Sequence, residues 1–285
     1  MDTYPQIAFV ILTWNSSEYI TQCLESIDSF TSLTSRIIVV DNGSEDPTVS
    51  LIKQASLATD LELITNARNK GTTVARNMAL SSAKECPFVC ILDSDTVVNE
   101  SAFMQMISAL ESDRTIGVVG PNLRTSNGEP QLSGRNLPSL GIKLRKALPL
   151  RSMQQRGSAL EEPDQAIIDG IQNVPYLLSA CWLLRSSVVD EVGALDENIF
   201  YAPEDVDYCV RVWNAGYRVV KCWNANIVHN YQRISKKRLF SRMNLEHIRG
   251  LVYYFKKYGY LFHPEKLTKT WRLYQHEGFF HKPSL

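Results

Sequence analysis

Along the first half of the chain, short apolar runs alternate with segments of helical spacing. Residues 7–13 are apolar almost throughout, which predicts a strand buried on both faces rather than one with a solvated side. Residues 17–30 then place Ile20, Leu24 and Ile27 on one side of a predicted helix, with Asn15 or Ser16 positioned to cap it. A second strand is expected over 36–41, closed by the turn Asp41-Asn42-Gly43-Ser44, after which Pro47 opens a helix at its first position. The pattern repeats with a strand over 61–65 and a helix over 72–83. A strand over 87–93 runs straight into Asp93-Ser94-Asp95, and a helix over 101–110 and a strand over 116–120 follow. Such alternation predicts an α/β fold with a mostly parallel sheet covered by helices on both faces. Ligands of such sheets bind at the carboxyl ends of the strands, which here carry Thr13-Trp14-Asn15, Asp41-Asn42-Gly43 and Asp93-Ser94-Asp95.

The second half is less regular. Residues 122–174 lack periodicity and are rich in Gly, Pro, Ser, Arg and Gln, the mark of a functional or mobile connection. Order is expected to return with a strand over 176–184 and a short helix over 186–192. A helix over 204–215 then follows Pro203 and is closed by Gly216. Two short strands are expected over 217–222 and 226–229. Residues 237–258 read as a basic amphipathic helix. Arg238, Arg242, Arg249 and Lys256 share a stripe, and Phe240, Leu245, Ile248, Leu251, Val252 and Phe255 take the other side.

Composition changes this picture in one respect. The 285 residues, 44% apolar and 21% charged, suit one large domain with a C-terminal addition. Net charge is zero, yet residues 230–285 hold twelve Lys/Arg against three Asp/Glu, so a basic tail sits on an acidic body. That asymmetry points to an anionic partner such as a membrane surface or a phosphorylated lipid. No nucleic-acid partner is expected. The first residues lack the basic segment of a secretory signal, and the six cysteines form no C-x-x-C pair, so a cytoplasmic chain with reduced, buried thiols is expected.

Three features carry candidate chemistry. Asp93 and Asp95 bracket one residue at a strand end, where hard oxygen ligands suit Mg2+ or Mn2+ bridging a diphosphate; such triplets also occur in ordinary surface turns. Glu204, Asp205 and Asp207 cluster at a helix start, which the helix dipole alone would favour, although Asp205 there can project into a cleft. His229 closes a strand and is either structural or a metal ligand.

As a set, the motifs resemble those of family 2 glycosyltransferases of the GT-A fold. The matching residues are Val10-Ile11-Leu12-Thr13-Trp14-Asn15, Val39-Val40-Asp41-Asn42-Gly43-Ser44, Asn69-x-Gly71 with Ala75-Arg76-Asn77, and Leu92-Asp93-Ser94-Asp95. Gly193-x-Leu195-Asp196-Glu197, Glu204-Asp205-Val206-Asp207 with Arg211 and Gly216, and His229 complete them. The resemblance spans about residues 6–230. It implies that Thr13, Asn15 and Asp41 meet the nucleotide base and ribose, that Asn69 and Arg76 support the base and the first acid of the triplet, and that Asp93 sits near the ribose or base. It implies a metal on Asp95 and His229, Asp205 as catalytic base, and Glu204 and Trp182 facing the acceptor. A GT-A catalytic domain is expected over 1–232, with a nucleotide-binding half to about 120 and an acceptor half from 121, followed by a basic helical extension over 233–285.

Inversion at an anomeric carbon needs one in-line displacement, hence one base opposite the leaving group and one cation on the diphosphate. A sugar nucleotidylyltransferase would need a glycine-rich loop after the first strand, and a dinucleotide-dependent oxidoreductase a G-x-G-x-x-G; neither is present. A non-catalytic nucleotide-sugar or glycan-binding module is the alternative of another class. The segments 201–207 and 229–233 resemble bacterial rhamnosyltransferases of surface polysaccharide or O-antigen synthesis. They suggest dTDP-rhamnose as donor and a glycan on a lipid diphosphate as acceptor, with UDP-hexose or UDP-galactofuranose as alternatives. The tail is expected either to bind a membrane peripherally, on the inner face of the cell membrane, or to pack on the catalytic domain. Tyr253, Tyr254, Tyr258 and Tyr260 are candidates for a membrane interface or a homodimer contact.

Overall fold

The computed structural model describes residues 6–83, 85–147, 150–230, 242–262 and 264. In chain order the first elements are β1 (Ile7–Thr13), α1 (Ile20–Asp28), β2 (Ser35–Asp41), α2 (Thr48–Gln54), β3 (Asp60–Thr65), α3 (Thr72–Ser82) and β4 (Phe88–Asp93). Then come β5 (Thr96–Val97), α4 (Glu100–Ser112), β6 (Ile116–Arg124), β7 (Pro130–Gln131), β8 (Gly134–Arg135), α5 (Leu140–Ala147) and α6 (Arg151–Ala159). The chain continues through β9 (Ile167–Ile168), β10 (Ile171–Asn173), β11 (Tyr176–Leu177), β12 (Cys181–Arg185), α7 (Ser186–Val192), α8 (Glu204–Asn214), β13 (Arg218–His229) and α9 (Arg242–Tyr258).

The main sheet runs β3-β2-β1-β4-β12-β6-β13-β10-β9. Its first four strands are mutually parallel, β12 enters antiparallel between β4 and β6, and β13 pairs parallel with β6. One continuous sheet therefore carries both halves of the chain. Strand alternation divides the core into two layers. Phe9, Ile11, Ile37, Val39, Cys90 and Leu92 face α1, α2 and α4, whereas Ala8, Val10, Ile38, Val40, Val89 and Ile91 face α3 and α8. The six cysteines are free and buried, as expected. No helix among the described residues is long and apolar enough to cross a membrane.

The order β3-β2-β1-β4 reverses at β1, because the chain first adds β2 and β3 on one side and then β4 on the other. A crevice opens where connections leave such a point in opposite directions. The register places Thr13 opposite Asp41 and Leu12 opposite Asp93, so all three polar strand ends reach one edge.

Four expectations are corrected. Residues 122–174 are not without structure; they carry β7, β8, α5, α6, β9 and β10. The run 176–184 is two strands, broken at Leu178-Ser179-Ala180. The two short strands near the end of the sheet are one strand, β13, with an irregularity between Cys222 and Asn226. The apolar face expected of the last helix is only in part its packed face: Phe255 packs on the core and Leu251 is half-buried. Leu245, Ile248 and Val252 are exposed, while Tyr254 is fully buried and Tyr260 nearly so. Lys257 Nζ sits 2.6 Å from both Asp196 and Asp207, Tyr253 Oη donates to Asp196, and Tyr258 Oη donates to Asp207. Buried and bonded within the chain, Tyr254, Tyr258 and Tyr260 are not a surface belt. Arg238 and Phe240 of the expected stripe lie outside the described residues.

Candidate active site

A cleft of about 380 Å3 opens at the sheet edge. Asn69, Arg76, Asp93, Asp95, Glu204, Asp205 and His229 all line it, so seven of the residues singled out in the sequence share one cavity.

The floor is built by β4 and β13. Asp93 ends β4, and β5 pairs with the end of β13, bringing Thr96 opposite His229 and Asp95 beside the ring. His229 Nε2 lies 3.3 Å from Asp95 Oδ1, and Nδ1 lies 2.8 Å from Gln131 Oε1. One ligand atom from each of Asp93, Asp95 and His229 falls within 4.8 Å of the others. Two carboxylates and an imidazole whose far nitrogen is fixed by an amide make a donor set that fits Mn2+ or Mg2+. Electrostatics favour a cation there as well. Burial works to lower the His229 imidazole, but the Asp95 hydrogen bond and the charges of Asp95 and Asp93 outweigh it and raise it above its ordinary value. Asp93, expected at the ribose or base, lies in this cluster and is also bonded to Arg76.

Arg76, buried on α3, links the floor to the opposite wall. Its Nη2 donates to Asp93 Oδ1 at 2.6 Å and its Nη1 to Glu204 Oε1 at 3.0 Å. Asp93 and Glu204 stand 111 residues apart in sequence, and one guanidinium sets their separation. Ser179 Oγ also donates to Glu204 Oε1. Burial and the neighbouring Asp205 charge push the Glu204 carboxyl up to about 7 in spite of Arg76. Among the described residues Asp205 has no such clamp: its Oδ1 accepts from the Val206 amide, and it remains partly exposed to the cleft. Burial raises its carboxyl above the ordinary value, against the pull of that amide and of Arg135, Lys143 and Arg76. A carboxylate open to the cleft, with its proton affinity raised, is placed to accept a proton. Asp207, the last acid of the run, faces away and is 1% exposed, held by Arg211 and Lys257.

The loop entering α8 is fixed from two sides. Gly71, at φ 94°, lies so close that a Cβ there would meet the Phe200 carbonyl oxygen at 2.6 Å, and Thr72 N donates to that oxygen. Gly250 of α9 lies closer still, since a Cβ would meet the Ala202 carbonyl oxygen at 1.9 Å. Glycine is required at such approaches.

The remaining expected contacts lie behind the cleft or outside it. Thr13 and Asp41 are buried and bonded to one another, and Asp41 also accepts from the Gly43 and Ser44 amides and the Ser44 hydroxyl. Asn15, at φ 52°, accepts from the Glu45 amide. Their neighbours Leu12, Trp14, Ser16 and Asn42 line the cleft instead. Trp182 is corrected: it points into the core, fully buried with its ring stacked on Tyr208, and cannot face an acceptor. Sequence reasoning missed Arg135, Lys143, Tyr176, Ser179, Tyr201, Met243, His247 and Leu251, all of which line the cleft. The apolar-polar pattern gave no signal that they meet at the cleft, except that 122–174 was marked as a functional connection; Leu251 was marked only as part of the apolar side of the last helix.

Comparison with known proteins shows the family and the fold. The family model described as glycosyl transferase family 2 matches residues 8–193. A pre-mycofactocin glycosyltransferase of Mycobacterium tuberculosis is 30% identical over 184 residues, covering 65% of this chain and 35% of the relative. An N-acetylglucosaminyl-diphospho-decaprenol L-rhamnosyltransferase of the same organism is 23% identical over 291 residues, covering 95% and 87%. The chain thus spans about a third of the length of the first of these relatives. Among solved structures, a mannosyltransferase of Pyrobaculum calidifontis with GDP-Man and Mn2+ matches at TM-score 0.61 and 18% identity, over 90% of this chain and 64% of that one. GalNAc-T7 with UDP, GalNAc and Mn2+ matches at TM-score 0.62 and 17% identity, over 81% and 45%. These structures share the GT-A fold.

Proposed function

Because the chain belongs to glycosyl transferase family 2, we propose that it moves a sugar, with inversion, from a nucleotide diphosphate donor to an acceptor hydroxyl. One observation carries this reading: Asp205 and the Asp93, Asp95 and His229 cluster face one another across a single cleft, with Arg76 holding the two sides at a fixed spacing.

Asp205 takes the proton of the acceptor hydroxyl as that oxygen bonds to the anomeric carbon. The bond from that carbon to the diphosphate breaks, and the electron pair leaves with the phosphate oxygen. A divalent cation, when bound by Asp95 and His229 with Asp93, neutralises the charge growing on that leaving group. Arg76 keeps Asp93 oriented and Glu204 out of competition for the proton. The Asn42 and Asn69 side chains, hydrogen-bonded to each other at 3.0 Å, form the wall where a base and ribose are received.

For the donor we favour dTDP-rhamnose, with UDP-hexoses or UDP-galactofuranose as the second choice. The acceptor we favour is a glycan on a lipid diphosphate. The relative matched along 95% of this chain carries a rhamnosyltransferase name with a diphospho-decaprenol acceptor, which supports both choices. A peripheral position at the inner face of the membrane fits an exposed Leu245, Ile248 and Val252 stripe beside exposed Arg249 and Lys256. Thermal-shift screening against dTDP-, UDP- and GDP-sugars with Mn2+ tests the donor; a ligand at 100 times its dissociation constant adds about 2.7 kcal/mol. Failure of every nucleotide sugar to stabilise the protein or turn over would favour a binding module without transferase activity.

A further inference from the structure

Across the cleft from the Asp93, Asp95 and His229 cluster, three basic side chains converge from three separate elements. Arg135 comes from β8, Lys143 from α5 and His247 from α9, and all three line the cavity that holds Asp205. Their counter-charges are few. Glu161 serves both Arg135 and Lys146, at 3.2 and 2.7 Å. The Lys143 ammonium has neither an ion pair nor a hydrogen bond among the described residues; burial lowers it, and the Glu161 and Asp205 charges only partly offset that burial. The His247 ring is lowered by burial and by the Lys143 charge, so the two lie within electrostatic reach, and the ring packs edge-on to Tyr201. A half-buried lysine beside a second cation is costly unless an anion joins it.

The donor diphosphate is not that anion. It belongs with the divalent cation on the other side of Asp205, where the leaving group must lie opposite the attacking hydroxyl. An acceptor whose hydroxyl meets Asp205 holds its own anomeric oxygen one sugar ring away. A phosphate on that oxygen falls on the Lys143 side. The apolar residues agree. Met243 and Leu251 of α9 line the cleft beside His247, and the next positions around the helix, Ile248, Leu245 and Val252, are exposed. Phe262, also exposed, lies against Gly141 of α5. A hydrocarbon leaving the phosphate would meet these apolar side chains on its way out.

We propose that Lys143, with His247 and Arg135, forms a subsite for the phosphate or diphosphate of a lipid-linked acceptor, distinct from the donor diphosphate site. The proposal rests on the transferase reading, which sets where the acceptor hydroxyl lies. It makes α5 and α9 the specificity-determining wall of the cleft.

The test is binding rather than turnover. UDP and excess Mg2+ saturate the donor side, so that chelation is common to all arms. Farnesyl diphosphate, farnesol and inorganic pyrophosphate are then titrated calorimetrically into the full chain and its Lys143→Met and Lys143→Arg variants. Farnesyl diphosphate should bind the wild type more tightly than farnesol does. Lys143→Met should weaken it about tenfold or more, the usual worth of a charge-assisted contact, and Lys143→Arg should recover most of that loss. UDP affinity should be equal in all three proteins. Equal affinity of wild type and Lys143→Met for farnesyl diphosphate overturns the subsite. A loss of UDP affinity in Lys143→Met also overturns it, by giving the lysine to the donor. Pyrophosphate binding as tightly as farnesyl diphosphate overturns the lipid assignment and leaves a free-phosphate site. If the wild type binds no nucleotide at all, the transferase reading fails instead, and the three farnesyl diphosphate titrations still decide the subsite.

Discussion

The two walls of the cleft are built differently. The floor and donor wall rest on strand ends: β1, β2 and β4 stop in register, and Asp41 and Asp93 are carried to the edge by the sheet itself. The opposite wall rests on α8, α5 and α9, held by contacts that join residues far apart in sequence. Lys257 reaches Asp196 across 61 residues and Asp207 across 50. A wall made by a sheet is fixed by the fold, whereas a wall made by docked helices is free to differ between relatives without disturbing the floor. The family model, ending at residue 193, covers β1, β2 and β4 of the first wall but not β13, and stops short of α8 and α9 in the second.

The sharpest break of this division is at Asp205. Asp205→Asn should lower transfer by about a hundred- to ten-thousandfold, the range for loss of a general base, while nucleotide and Mn2+ binding on the other wall persist. Unchanged transfer, measured with donor and acceptor in steady state, would sink the base assignment. Arg76→Met strikes the joint between the walls. It leaves Asp93 and Glu204 without their shared cation, and breaking a buried pair from one side costs about 3–5 kcal/mol. Chemical denaturation should show that loss; a variant within 1 kcal/mol of wild type would mean that the two carboxylates are held without Arg76.

Legibility follows the same line. Asp93, Asp95, Asp205, Glu204 and His229 could be found because each sits at or beside the start or end of an element that the apolar pattern marks, whereas Arg76, inside α3, and Asn69, in the loop before it, came from the family resemblance alone. Trp182 was misplaced because its expected role came from the family resemblance, which does not say which way the ring points. The break at Leu178-Ser179-Ala180 gives those residues to the cleft and turns Trp182 into the core. The last helix was partly misjudged because, Phe255 apart, it docks through Gly250, Tyr254, Tyr258 and Lys257 rather than through its aliphatic residues. Hydrophobic periodicity ranks leucine and isoleucine as the inward face, but here a glycine admits the Ala202 carbonyl and tyrosine hydroxyls meet buried acids. No pattern along one strand of sequence announces a partner 50 residues away.

Gly250→Ala tests that docking. The added methyl must displace α9 from the Ala202 carbonyl, taking Met243, His247 and Leu251 with it. We expect kcat/KM for the acceptor to fall by about tenfold or more, since small misplacements at a reacting centre cost up to about a hundredfold. The donor dissociation constant should not move. An equal loss on both substrates would show that α9 supports the whole cleft and not one wall of it.

The smallest expected effect is on pH dependence, and its sign discriminates between the walls. Asp205 must be ionised to accept a proton, so kcat/KM should rise with pH through the folded-state value of the Asp205 carboxyl. Burial holds that value above the ordinary one, so the acid limb should lie above the usual aspartate range. Arg135, Lys143 and Arg76 pull it back down, each by favouring the ionised form. Removing one of these charges in Lys143→Met should therefore carry the limb to higher pH. Glu204, raised to about 7, titrates beside Asp205, so the limb belongs to the pair and should be followed in the Glu204→Gln background as well. His247 also faces Lys143, and loss of that charge lifts its imidazole, which would act on any limb near neutrality. A limb that moves to lower pH in Lys143→Met, in both backgrounds, would mean that Lys143 does not face Asp205 and that the basic wall belongs elsewhere in the reaction.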